Sequence, residues 1–254
     1  MLMKKKIVVY TAIFGNYSGL VEQPRLENVD YICYTDSKDL KSKNWQIVNV
    51  SPPIKDDNTR SNRYYKILPH KHLTEAYDIS VYIDGNILIL KDFSDLITEK
   101  MDNANMAYFD HNQTDGDARN CIYKEYEGIL EFPISSGIFK DNPEIMKKQI
   151  EGFKAMSYPK DNGLIFAAIL IRRHFNKEVI DLMEAWWHIV MNQSKRDQLS
   201  FNYVAWKLNF NSFSLIDGDL RKGNPWFYMI SHRQNYKSKV RRSRWKHFLG
   251  FKNI

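Results

Sequence analysis

Residues 164–171, LIFAAILI, form an unbroken apolar run between Gly163 and Arg172. A strand with one face in water alternates apolar and polar residues, because successive side chains point to opposite faces of the sheet. A run with no polar position has to be covered on both sides. Three further segments carry a similar signature: KIVVYTAIFG at 6–15, VDYICYTDS at 29–37 and SVYIDGNILIL at 80–90. Between them lie helical patterns. Residues 56–76 set Tyr64, Ile67 and Leu68 at helical spacing behind Asp and Asn caps, and 143–156 carries Pro143 in a first turn. Residues 177–192 are amphipathic, and 196–208 continue as another helix. NMAYFDH at 105–111 and FSLID at 213–217 read as additional strands, with a polar loop over 112–120. Strands alternating with helices predict an α/β fold: one domain over 1–232 with a mostly parallel central sheet flanked by helices, then a tail over 233–254.

The net charge of +7 is local, since residues 233–254 hold eight Lys or Arg and no Asp or Glu, leaving the rest near −1. Binding of nucleic acid by the whole protein is therefore not expected, whereas the tail, with Trp245, Phe248, Leu249 and Phe251 among its cations, suits an anionic membrane surface. No segment reaches the ~18 to 20 apolar residues needed to span a bilayer. The start MLMKKKIVVYTAIFG resembles a signal peptide only weakly, because Tyr10 and Thr11 interrupt it and no small-residue cleavage site follows. Cys33 and Cys121 lack metal-site spacing and read as buried thiols in a reducing compartment. A cytoplasmic protein is expected, peripheral on the inner membrane face through its tail.

The most informative polar residues are Asp84, Gly85 and Asn86, which interrupt the run at 80–90. An Asp-Gly-Asn turn accounts for them structurally. In an α/β sheet, however, ligands bind beyond the carboxyl ends of the strands, and there Asp84 and Asn86 present two oxygens to a hard cation, Mg²⁺ or Mn²⁺. Arg60, Arg63 and Lys66 recur at helical spacing just upstream, a set of cations suited to a diphosphate and equally readable as a solvated face. Asp197 and Gln198 open the helix over 196–208, where the aspartate also fits as a cap. His232 directly precedes the basic run, as a third metal ligand, a phosphate contact or a structural histidine. An aspartate-nucleophile phosphatase is disfavoured, because its nucleophile follows the first strand and none follows TAIFGNY.

Taken in order, VVYTAIFGNY, DYICYTD, RSNRYYKILPH, YIDGN, RNCIYKE, GLIFAAILIRRH and KRDQLSFNYVAWKL resemble a glycosyltransferase-like family of bacterial polysaccharide clusters and plant Golgi proteins. The resemblance spans roughly residues 6–235 and implies a Rossmann-like GT-A fold that binds a nucleotide-diphosphate sugar. It implies that Thr11, Ala12, Phe14 and Tyr17 hold base and ribose, and that Arg60, Arg63, Lys66 and Arg233 face the diphosphate or ribose. Asp84, Asn86 and His232 would hold the metal, with Asn86 in place of a second aspartate and so a weaker site. His111, Arg119 and Glu125 form a middle block. Asp197 and Gln198 would face the donor sugar, Asp197 alternatively deprotonating the acceptor, with Asp84 completing the catalytic set. The implied reaction is sugar transfer to a glycan or lipid-linked acceptor in bacterial surface polysaccharide synthesis. The alternative is a catalytically silent nucleotide- or glycan-binding protein of the same fold.

Overall fold

The computed structural model describes residues 6–17, 19–133, 137–222 and 224–230. Seven strands make the central sheet: β1 (Ile7–Ile13), β2 (Val29–Thr35), β3 (Gln46–Asn49), β4 (Ile79–Ile83), β6 (Met106–Asp110), β7 (Ile165–Arg172) and β8 (Phe213–Ile216), in the order β3-β2-β1-β4-β7-β6-β8. Four of its six pairings are parallel, and β7 runs antiparallel to both β4 and β6. The mostly parallel α/β architecture expected from the sequence is the one observed. A separate ribbon joins β5 (Ile87–Ile89) to β9 (Phe227–Met229).

Every residue of β1, β4 and β7 is buried, as their unbroken apolar runs require. Alternate residues feed opposite cores. Val8, Tyr10 and Ala12 join Tyr82 and Leu170 on one face, while Ile7, Val9 and Ile13 join Val81 and Ile169 on the other. The first face is covered by α1 (Asn58–Ile67), α3 (Ile122–Glu131), α4 (Pro143–Ala155), α5 (Lys177–Asn192) and α6 (Phe201–Lys207), and the second by α2 (Ser94–Lys100) with the β5–β9 ribbon. Because β7 is antiparallel, its first residues lie beside the carboxyl ends of β4 and β6, with Ile83 opposite Ile169 and Asp110 opposite Ile165. One edge of the sheet therefore gathers the loops after β1, β2, β4 and β6.

Two helices are shorter than their sequence pattern. The stretch over 56–76 ends as an α-helix at Ile67 and becomes a 3₁₀ turn over Pro69–Lys71, since Pro69 has no N–H to donate and disfavours helical backbone at Leu68. That over 196–208 begins as a 3₁₀ turn, Asp197–Leu199, before α6. Strands β3 and β9 and helix α2 carry too few residues to be read in advance, whereas α3, amphipathic over 10 residues, is an element the sequence reading missed. Cys33 and Cys121 are buried and unbridged, and burial lifts the Cys33 thiol to about 12. Among the described residues no helix is long and apolar enough to cross a membrane. The tail over 233–254, with its membrane-facing expectation, lies outside the described residues.

Candidate functional site

At the carboxyl end of β4 the chain makes a turn that also presents a carboxylate. Asp84 N–H donates to Ala168 O (2.9 Å), and Asp84 O accepts from Ile87 N–H (2.9 Å), which sends the chain into β5. The Asp84 side chain remains 35% exposed. Its Oδ1 accepts from the Tyr82 hydroxyl at 2.9 Å and stands 3.9 Å from Lys66 Nζ. Burial and the Asp84 charge raise the Tyr82 hydroxyl well above its usual range, which keeps it a neutral donor. Asn86 is different: it is only 2% exposed. Its Nδ2 donates to Ile230 O (2.8 Å) and its backbone O accepts from Ile230 N–H (2.9 Å), fastening the end of β9 to the corner. One acceptor is left over, Asn86 Oδ1, buried without a partner. Among the described residues no three His, Cys, Asp or Glu side chains group as a metal site. His232 and Arg233 lie outside the described residues.

Helix α1 supplies the cations, though not as its spacing suggested. Lys66 Nζ lies 2.6 Å and Arg63 Nε 3.0 Å from Asp197 Oδ2, so both are already paired with a carboxylate that is itself only 2% exposed. Arg60 faces elsewhere. Its guanidinium donates to Val190 O (2.9 Å) and Gln193 O (2.7 Å) at the end of α5 and pairs with Asp57 (2.6 Å), satisfying helix carbonyls at the negative end of a dipole. The expectation that Arg60 grips a diphosphate is corrected accordingly. Burial by itself would raise the Asp197 carboxyl, but the charges of Arg63, Lys66 and Arg196 outweigh it and hold the group well below the usual carboxylate range. A carboxylate held this way, buried and in two ion pairs, does not suit the acceptor-deprotonating role expected of it. Asp84, Lys66, Asp197 and Arg63 together are formally neutral.

The end of β1 likewise departs from expectation. Thr11, Ala12 and Phe14 are buried, and Phe14 stacks on Tyr65 at 5.6 Å between ring centres, so their side chains belong to the core and not to a base or ribose. The strand's own packing claims them. Tyr17 is 81% exposed at this edge. Sequence reasoning missed Asn62, whose Nδ2 donates to Ala12 O (2.5 Å) and whose Oδ1 accepts from Arg63 (2.5 Å). It also missed Asp36, which accepts from Gly15 N–H at 3.1 Å and braces a loop where Gly15 has φ +63° and Asn16 φ +53°.

Beside the corner, a cleft of about 440 Å³ opens between α3, the loop after β6 and the Asp197–Leu199 turn. The middle block converges here: His111, Arg119 and Glu125 all line it, and so does Gln198. Arg119 lies across Gly128, where a Cβ would come within 2.6 Å of its Cζ, and bridges Asp117 and Glu125, each at 2.5 Å. Glu125 is also 3.6 Å from Arg196, and Asp117 is 3.1 Å from Arg221. Burial lowers the His111 imidazole, which favours its neutral form. Of the cleft residues the sequence did not single out, Arg196 stood next to a quoted aspartate, whereas Lys140 and Arg221 are lone charges in loops with no pattern to flag them.

Corner and cleft are joined by one turn. Asp197 points into the ion pairs of the corner, while its neighbour Gln198 lines the cleft. No curated protein matches the sequence. Among solved structures, the apo form of the WbbM bifunctional glycosyltransferase superposes with a TM-score of 0.47 at 12% identity, over 85% of this chain and 39% of that one. This chain thus spans well under half the length of that neighbour. A family model described as the TOD1/MUCI70 glycosyltransferase-like domain matches residues 1–217 of the 254, and the chain belongs to that family.

Proposed function

We propose that this protein is a glycosyltransferase that moves a sugar from a nucleotide-diphosphate donor to a glycan or lipid-linked acceptor, in the assembly of a bacterial surface polysaccharide. The observation that carries the reading is the turn Asp197–Leu199, which puts one residue in an ion-paired corner at the carboxyl ends of β1 and β4 and the next in a separate cleft. Transfer between two bound substrates needs two adjacent subsites with a shared wall, and this turn is such a wall.

Glycosyl transfer develops positive charge on the anomeric carbon and negative charge on the departing diphosphate, so groups that stabilise the leaving phosphate lower the barrier. Lys66, 3.9 Å from Asp84, offers a cation there, and Asp197 holds Lys66 and Arg63 in place. Asp84 and the unpartnered Asn86 Oδ1 are both hard oxygens and fit a Mg²⁺ or Mn²⁺ ion completed by donor phosphates, whose chemistry there would be Lewis-acid neutralisation of the leaving group. Gln198, on the cleft side of the turn, is placed to hydrogen-bond sugar hydroxyls.

Thermal unfolding in the presence of a panel of nucleoside diphosphates, with and without Mn²⁺, tests this reading. One base with Mn²⁺ should raise Tm by about 5–10 °C at saturating concentration. Asp84→Asn should melt like the parent without ligand and lose that rise. No shift with any nucleotide, or an undiminished shift in the variant, would remove the reading. A nucleotide that binds while no sugar moves in a product assay would support the silent binding protein instead.

A further inference from the structure

The two subsites differ in charge. The corner's four charged groups cancel, whereas the cleft is lined by four cations, Arg119, Lys140, Arg196 and Arg221, against two carboxylates, Asp117 and Glu125. Arg119 spends its charge on both carboxylates at 2.5 Å. Among the described residues Arg196 makes one ion pair, at 3.6 Å with Glu125, and has a buried Nε with no hydrogen-bond partner. Among the described residues Arg221 makes one ion pair, at 3.1 Å with Asp117, and lies over the Phe166 ring at 5.4 Å with its side chain 39% exposed, and Lys140 has no carboxylate within ion-pair reach. Partial desolvation and the charge of Arg196 lower the Lys140 ammonium, the direction expected for a cation set short of counter-charge. Such a concave, under-neutralised set concentrates anions, and guanidinium groups match phosphate oxygens in pairs.

The lining of this cleft includes an exposed apolar ring. Phe132 lines it with most of its ring exposed, and Ile138, also exposed, lies two residues before Lys140.

We propose that this cleft seats a phosphate ester carried by the acceptor, its oxygens held by Lys140, Arg196 and Arg221 and its apolar substituent, where it has one, against Phe132. The proposal rests on the donor reading of the Asp84 corner, because it gives the acceptor the other side of the Asp197–Leu199 turn. A phosphoryl group on a lipid carrier and one on a phosphorylated sugar share this chemistry. The exposed Phe132 ring favours the lipid.

Direct titration of the full chain with farnesyl phosphate, glucose 1-phosphate and inorganic phosphate, in parallel with the nucleoside diphosphate found by thermal shift, separates the possibilities. The substitutions are Lys140→Ala and Arg221→Gln, singly and together; both side chains are exposed enough that the fold should be kept, and unfolding curves check it. The expected result is that the double variant binds the phosphate esters at least about tenfold more weakly and the nucleotide unchanged. Farnesyl phosphate binding tighter than glucose 1-phosphate identifies a lipid carrier, the reverse a sugar phosphate, and either order supports the site. Equal binding of the esters to parent and variant overturns the proposal. So does loss of nucleotide affinity in the variant, which would make the cleft part of the donor site. If no nucleotide binds the parent while the esters still bind in a Lys140- and Arg221-dependent way, the donor reading fails and the phosphate site stands.

Discussion

Asp197 shows how a single buried carboxylate organises a site. With its Oδ2 at 2.6 Å from Lys66 and 3.0 Å from Arg63, it neutralises two cations that would otherwise be left in a largely desolvated position. Asp197→Asn keeps the shape and removes the charge, so the variant should lose about 3–5 kcal/mol of stability, the usual cost of breaking a buried pair from one side. Urea unfolding of variant and parent at pH 7 measures it. A loss under about 1 kcal/mol would mean that Lys66 and Arg63 find other partners. His72, packed against Tyr34 and Tyr65, is the converse case: burial first, then the nearby Arg172, push its imidazole down to about 3.

At the scale of elements, the β5–β9 ribbon is held from outside by Gln23, which donates to Ile87 O and accepts from Ile89 N–H, and at its corner end by Asn86. Asn86 reaches Ile230 through both its side-chain amide and its backbone oxygen, at 2.8 and 2.9 Å, just beyond the last pair of the ribbon, Ile87 with Met229. Asn86→Ala leaves the buried Ile230 carbonyl short of a donor, at a cost of about 1–3 kcal/mol. Hydrogen exchange of the amides in Phe227–Met229 should quicken while those of β1 hold their protection. Uniform protection across both would show that the ribbon does not need this tether. Helix α3 has the opposite sensitivity. Gly128→Ala improves helix propensity by about 1 kcal/mol, yet its Cβ displaces the Arg119 guanidinium, the flexible end of a side chain. The variant should keep or raise its Tm while phosphate-ester affinity changes; unchanged affinity would show that the placement of Arg119 is immaterial to the cleft.

For the molecule as a whole, the shifted groups set a direction for stability against pH. Asp197 is held below the ~3.9 of an unfolded aspartate, so its contribution is present above that value and is lost as pH falls through the native one. His72 and His174 are pushed by burial to about 3 and about 4, so between there and the ~6.5 of an unfolded histidine the unfolded chain binds protons that the native one does not. All three act with the same sign. Stability should fall as pH drops from about 6.5; below about 4 the His174 share levels off while that of Asp197 sets in, so the Asp197→Asn variant should fall less steeply there than the parent. Tm recorded from pH 7 to pH 3.5 checks this; a flat profile would contradict it.

What the sequence determined by itself was set by local chemistry. The apolar run over 164–171 cannot be half exposed, so a doubly covered sheet followed from it, and the carboxylate at 84 interrupting an apolar strand marked the edge where polar groups gather. Ordered blocks carried the family across most of the chain. Which cation meets which carboxylate was decided only by the tertiary structure, because Arg60, Arg63 and Lys66 have the same spacing and yet Arg60 finds the end of α5 while the other two find Asp197, more than a hundred residues away. The same limit hid Lys140 and Arg221, and it made core residues of Thr11, Ala12 and Phe14. Periodicity records which side of an element is apolar. The partner across the fold is fixed by how strands order and helices pack, and that information is not local to any residue.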